Sequence, residues 1–238
     1  MEKTINEQLN ILHIYGGAMK IGGHYRSGLA MARHLIKSGH RVFVLAPHAM
    51  TEMVEAFERS GAKVHLVPEV GKTGKLPCLS GWKHITRFAV QQNVDIIHSM
   101  DSINLARGYR AAVKTGKSFV CTEAGANFRS HYPPPKSKVV IFSQEQKTIY
   151  REIYKMPDAN VQIIRARIDM DLYHPEPLSL ALAEKYQLTR NGFTIGMVCR
   201  LEPNKAHQVK VLLDFVRSYK LPDKPLSIYI AGDGTCRA

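Results

Sequence analysis

Residues 9–46 run Leu9-Asn-Ile-Leu-His-Ile-Tyr15, a loop carrying Gly16-Gly17 and Gly22-Gly23, a stretch from Tyr25 to Lys37, the break Ser38-Gly39-His40, and Arg41-Val-Phe-Val-Leu-Ala46. The two apolar runs are short, as strands buried on both faces are. Between them Leu29, Ala32, Leu35 and Ile36 recur at helical spacing until Ser38-Gly39-His40 ends the helix. Pro47 closes the second strand, Thr51 to Ser60 predicts a helix stopped by Gly61, and Lys63-Val-His-Leu-Val67 predicts a third strand. A β-α-β-α-β opening implies a parallel sheet with right-handed crossovers. The fold class is therefore α/β.

The alternation continues through a helix at Leu79–Gln92, a strand at Asp95-Ile-Ile-His98, a helix at Asn104–Lys114 capped by Gly116, and a strand at Ser118-Phe-Val-Cys-Thr122. An irregular connection with Pro133-Pro-Pro135 leads to Val139-Val-Ile-Phe142, a helix across Gln144–Tyr154, and Val161-Gln-Ile-Ile164. The proline-bearing passage Leu172-Tyr-His-Pro175-Glu-Pro177 resembles a linker. These signals divide the chain into a Rossmann-like domain over 1–168, a linker over 169–177 and a second Rossmann-like unit over 178–238. That second unit carries a helix near 178–187, Phe193–Cys199, a helix near 206–219 and Leu226-Ser-Ile-Tyr-Ile-Ala231. Two strands are too few for an independent parallel sheet, so this unit is expected to be incomplete.

Composition narrows the class. With 45% hydrophobic residues and no apolar run near bilayer length, the chain reads as soluble and globular. Met1 to Gln8 lacks an apolar signal core, and Cys78, Cys121, Cys199 and Cys236 form no C-x-x-C pair. A reducing cytoplasm fits, with Cys121 and Cys199 as buried free thiols. Charge is lopsided: residues 1–168 hold 24 Lys/Arg against 12 Asp/Glu, while 169–238 hold 9 against 8. A positive first domain suits nucleic acid, anionic lipid or an acidic soluble substrate, and charge alone selects none of them. The segment from Lys72 to Phe88 sets Trp82, the only tryptophan, among cations. It fits either a helix lying on anionic lipid at the inner face of the plasma membrane or a helix packed on the sheet with Trp82 in the core.

Gly196-Met-Val-Cys-Arg200-Leu-Glu-Pro-Asn-Lys205-Ala206 reads as a strand that delivers an arginine, then a turn, then a lysine entering a helix. Two cations beside a helix amino terminus suit a diphosphate, because unpaired N–H groups and the helix dipole add to their charge. Gly22-Gly23 likewise precedes a helix and offers close backbone approach, although neither a dinucleotide fingerprint nor a P-loop is present. His13 and His65 read as satisfied core histidines, whereas His98 and Glu123 end strands at the edge where open α/β sheets bind ligands.

With these residues in place the chain resembles retaining glycosyltransferases of family four, which have the GT-B architecture of two facing Rossmann-like domains. The family's G-G before a helix that ends in G-H-x-V is matched by Gly22-Gly23 and Gly39-His40-Arg41-Val42. Asp95-Ile-Ile-His98 resembles its D-V-V-H, and Phe142-Ser143-Gln144 its later strand–helix boundary. Ile164-Arg-Ala-Arg167-Ile168-Asp169 resembles I-P-N-G-V-D, with Tyr173-His174-Pro175 for F-x-P. Arg200-Leu201 and Lys205 keep the spacing of G-R-L-x-x-x-K-G, and Ala231-Gly232-Asp233-Gly234-Thr235 resembles G-x-G-D-G-P. The resemblance implies a nucleotide-sugar donor, transfer with retention, a glycan or lipid-linked cell-envelope acceptor, and no metal, other cofactor or nucleic acid. It assigns Arg200 and Lys205 to the donor diphosphate, with Gly22 and Gly23 facing it. Gly125 and Asp101 are assigned to the acceptor side or cleft.

The departures are equally specific. Where the family often shows T-x-H-G, this chain has Thr122-Glu123-Ala124-Gly125, so either Glu123 or His98 takes the active-site role or this position is not used in the family's way. Ala206 replaces the glycine after the lysine, and the family's E-x7-E segment would lie beyond Gly234. Weak or absent turnover by this chain is therefore expected. The competing readings are another GT-B enzyme, such as a nucleotide-sugar epimerase, and a non-catalytic basic module for anionic polymers.

Overall fold

The structure is a computed structural model. It describes residues 7–19, 22–73, 76–77, 80–123, 134, 137–165, 167–168, 170–171, 173–188, 192–218 and 225–237. Gly125, Asp169, Cys78 and most of the Pro133–Pro135 connection lie outside the described residues. The chain divides into two compact units, Met1–Tyr173 and His174–Ala238.

In the first unit β1 (Asn10–Ile14), α1 (Gly23–Lys37), β2 (Arg41–Ala46), α2 (Thr51–Arg59) and β3 (Lys63–Leu66) form the opening repeat. A small hairpin follows, β4 (Lys72–Thr73) and β5 (Leu76–Pro77). Then come α3 (Gly81–Gln91), β6 (Ile96–Ser99), α4 (Leu105–Thr115), β7 (Ser118–Thr122), β8 (Lys138–Ile141), α5 (Gln144–Glu152) and β9 (Val161–Ile163). Seven strands make one parallel sheet in the order β3-β2-β1-β6-β7-β8-β9. The chain winds outward from β1 to β3, then returns to place β6 on the other side of β1. The order reverses there, and the carboxyl ends of β1 and β6 frame the crevice where such sheets take ligands.

The strand period places the core on both faces. Leu12, Ile14, Phe43 and Leu45 join Ile85, Ala89, Ile97 and Ala111 in one buried cluster, under α3 and α4. The alternate residues Tyr15, Val42, Val44 and Ala46 join Leu29, Ala32, Met53 and Phe57 under α1 and α2. Each fully buried large side chain contributes about 1.5–3 kcal/mol, so the two-faced sheet dominates stability. α5 is fastened at its start by a reciprocal cap: Ser143 Oγ accepts from the Gln146 N–H, and Gln146 Oε1 accepts from the Ser143 N–H.

The second unit contains α6 (Leu180–Lys185), β10 (Phe193–Val198), α7 (Pro203–Ser218) and β11 (Leu226–Ala231). β10 and β11 pair in parallel, with Phe193 opposite Leu226 and Val198 opposite Ala231. Among its described residues only Ala183 is a buried hydrophobic, while Phe193, Val198, Val211 and Phe215 are exposed.

Several expectations shift. α1 begins at Gly23 and α7 at Pro203, each earlier than periodicity suggests, because glycine and a first-turn proline hide a helix start. Trp82 is neither in the core nor free: it is half-buried, and the Arg110 guanidinium of α4 lies 4.0 Å from its ring centre. Cys121 is buried as expected, whereas Cys199 is only partly buried. Among the described residues no helix is long and apolar enough to cross a membrane.

Candidate active site

The carboxyl edge of the sheet is organised by Asp101, just past β6. Its Oδ2 accepts from the N–H of Gly16 at 2.6 Å and of Gly17 at 3.2 Å, and its Oδ1 from Ile103 at 3.0 Å and Asn104 at 3.3 Å. One carboxylate thus ties the loop after β1 to the turn before α4, across the point where strand order reverses. Ile103 then packs so close to Gly16 that any side chain there would collide with it. Asp101 therefore anchors backbone through both oxygens. Beyond this anchored turn Gly22 and Gly23 open α1, and among the described residues they have no side-chain cap and a side chain at either would meet nothing within 4 Å. Their backbone faces open space at a helix amino terminus.

Two histidines stand side by side on adjacent strands, His13 of β1 opposite His98 of β6, with ring centres 5.4 Å apart. His98 Nε2 shares a 2.8 Å hydrogen bond with Thr122 Oγ1 at the end of β7. His13 is fully buried and neither ring nitrogen has a partner among the described residues, which corrects its reading as a satisfied core histidine. Burial holds both rings neutral: His13 is lowered to about 3, and His98 well below the usual range, helped by its histidine neighbour and by Arg167.

Glu123 follows β7 directly and is 8% exposed. Its N–H donates to Val140 O at 2.9 Å, and its Oε1 has no partner among the described residues. Burial, with the nearby Asp101 charge, raises its carboxyl to about 7. At neutral pH it is thus poised between acid and base. Among the described residues no group of three or more His, Cys, Asp or Glu is placed to hold a metal.

In the second unit Arg200 follows β10 and Lys205 lies in the first turn of α7; both are exposed. Their loop is held from beneath. The Cys199 N–H donates to Ala231 O at 3.1 Å and the Leu201 N–H to Asp233 O at 2.9 Å. Gly232 packs directly on the Cys199 carbonyl, which leaves no room for a side chain. Asp233 serves this turn: its Oδ1 accepts from the Gly234 N–H at 2.9 Å.

The structure thus gathers Asp101, His98 and Glu123 along one sheet edge of the first unit, and Arg200 with Lys205 at one strand–helix junction of the second. Sequence reasoning assigned no role to Arg167, which lies just past β9 and whose charge acts on His13, His98 and Tyr15. Its signals were its place after the last strand of the sheet and within the stretch that resembles I-P-N-G-V-D.

No curated protein sequence matches the chain. Solved structures that share the fold include a glycosyltransferase from Rickettsia africae ESF-5, at 20% identity and a TM-score of 0.68, over 96% of this chain and 69% of that one. HepE of Anabaena, in complex with UDP-glucose, matches at 18% identity and 0.68, over 95% of this chain and 61% of that one. The lipopolysaccharide outer core galactosyltransferase WaaB, in its apo form, matches at 16% and 0.61, over 95% and 62%. This chain therefore spans less than two thirds of the length of the last two. Residues 21–172 match the family described as Glycosyltransferase Family 4, which covers most of the first unit, and the chain belongs to that family of glycosyltransferases.

Proposed function

We propose that the chain serves transfer of a sugar, with retention of anomeric configuration, from a nucleotide-sugar donor to a glycan or lipid-linked acceptor of the cell envelope. Arg200 and Lys205 carry this reading: two exposed cations held at a strand end and a helix amino terminus suit a diphosphate. Arginine offers it a planar fork and lysine a mobile point charge. Each charge-assisted bond is worth about 1.5–3 kcal/mol, and more as the departing nucleotide gains charge. These cations take the part that a divalent ion plays elsewhere, so the reaction is proposed to need no metal. The UDP-glucose complex of the Anabaena relative supports a nucleotide-sugar donor.

Donor binding is assigned to the second unit and acceptor handling to the first. There Glu123 takes the proton of the acceptor hydroxyl, and neutral His98 orients Thr122 beside it. Gly22 and Gly23 let the diphosphate or the acceptor approach backbone N–H groups. The enzyme would work in the cytoplasm, on the inner face of the plasma membrane. The test is product analysis: UDP-glucose labelled at the anomeric carbon is incubated with the chain and an envelope lipid and glycan extract. Turnover is expected to be weak, and the product that forms is expected to be α-linked. A β-linked product would overturn retention, and release of epimerised nucleotide sugar would overturn transfer.

A further inference from the structure

We propose that the sheet edge of the first unit holds an anion-recognition site built on Arg167, and that the acceptor presents a carboxylate or phosphate group to it. This rests on the acceptor-handling role proposed above and names the acceptor's chemistry.

A guanidinium keeps its charge at any pH a protein survives, and a desolvated charge needs a counter-charge. Arg167 Nη1 is buried and has no hydrogen-bond partner among the described residues. The backbone around it is fastened, since the Arg167 N–H donates to Ser27 Oγ of α1 at 3.3 Å. The two carboxylates of this edge do not serve it. Asp101 is taken up by four backbone N–H groups, and Glu123 responds to Asp101 and to burial rather than to Arg167.

The groups that do feel the Arg167 charge are His13, His98 and Tyr15. His13 of β1 and Tyr15, just past its end, sit two residues apart and fully buried, and neither His13 ring nitrogen nor the Tyr15 hydroxyl has a partner among the described residues. Gly28, next to the Ser27 that holds the Arg167 backbone, packs against the Tyr15 hydroxyl, so a phenol O–H and a guanidinium N–H, each without a partner among the described residues, are both brought to α1, with the unpartnered His13 ring two residues before Tyr15. Carboxylate and phosphate are the ligands that bring charge and several acceptor oxygens at once. Arg167 itself is only half-buried, so an anion reaches it from solvent, with His13 and Tyr15 deeper in the fold. The surplus of cations over residues 1–168, 24 against 12 acids, draws such ligands toward this unit.

The experiment titrates the full chain with inorganic phosphate, glucuronate and neutral glucose at constant ionic strength, following the His13 and His98 ring resonances by NMR. Saturable shifts are expected with phosphate, glucuronate or both, and none with glucose. Which anion binds more tightly identifies the group the acceptor carries. Arg167→Gln is expected to weaken the bound anion about ten- to a hundredfold, with Arg167→Lys in between because it loses the fork but keeps the charge. No saturable shift with either anion would overturn the proposal, as would wild-type affinity in an Arg167→Gln protein with a native amide spectrum. UDP-glucose is titrated into the same samples. Loss of its binding in parallel with phosphate would move Arg167 to the donor and overturn the acceptor assignment. UDP-glucose binding without anion binding would sink this inference alone, whereas anion binding without UDP-glucose binding would sink the donor reading alone.

Discussion

Glu123 shows how a single residue's environment sets its chemistry. Ordinary carboxyls are ionised at neutral pH, but burial and the Asp101 charge lift this one to about 7. The folded state therefore holds a proton that the unfolded chain has released between pH 4.5 and 7, so this group's contribution to stability falls as pH rises through that window. A shift of this size corresponds to about 3 kcal/mol above pH 7. His13 and His98 act oppositely, since folded rings that stay neutral lose stability as pH falls below 6.5. The informative quantity is thus the difference between Glu123→Gln and wild type in urea denaturation. The variant is expected to gain stability relative to wild type as pH climbs from 5 to 7 and to level off above. A pH-independent difference would show that Glu123 titrates normally. Sequence reasoning marked Glu123 and His98 from their places at strand ends, but the isolation of His13 and Arg167 depends on what surrounds them and was not legible.

At the scale of elements, most of the first sheet was legible because its strands alternate between two buried faces and its helices repeat regularly. β2 and β7 fall within the bounds that the apolar runs set. What escaped was local. The hairpin of β4 and β5 has two-residue strands that carry no period, and Pro203 reads as a breaker when it opens α7. The link from Asp101 to Gly16-Gly17 joins residues 85 and 84 positions apart, which no local pattern reports. Asp101→Ala removes the acceptor of four N–H groups and is expected to cost at least about 3 kcal/mol in urea denaturation. Asp101→Asn keeps one oxygen and should cost less. A loss under about 1 kcal/mol for Asp101→Ala would mean that the loop is held by other contacts.

The chain comprises a strongly basic, well-buried first unit and a second unit whose described residues are sparsely buried. In the second, Val209, Leu213, Ile230 and Gly232 line a groove of about 630 Å³ along α7 and β11. In the first, Lys83 and Arg87 of α3 are exposed with Arg110 and Lys114 of α4, around the half-buried Trp82. A positive face with an aromatic at its level suits an anionic membrane surface. The chain is expected to sediment with phosphatidylglycerol vesicles at low salt and to be released near about 0.5 M salt, where screening is short-ranged. Failure to sediment at low salt would remove the membrane from the account.

The donor assignment is tested most directly by calorimetric titration of UDP-glucose into the wild-type chain and into Arg200→Ala and Lys205→Ala. Saturable binding by the wild type is expected, weakened about ten- to a hundredfold by Arg200→Ala and by a smaller factor by Lys205→Ala. Absence of binding by the folded wild type, or affinity unchanged in both variants, would contradict it.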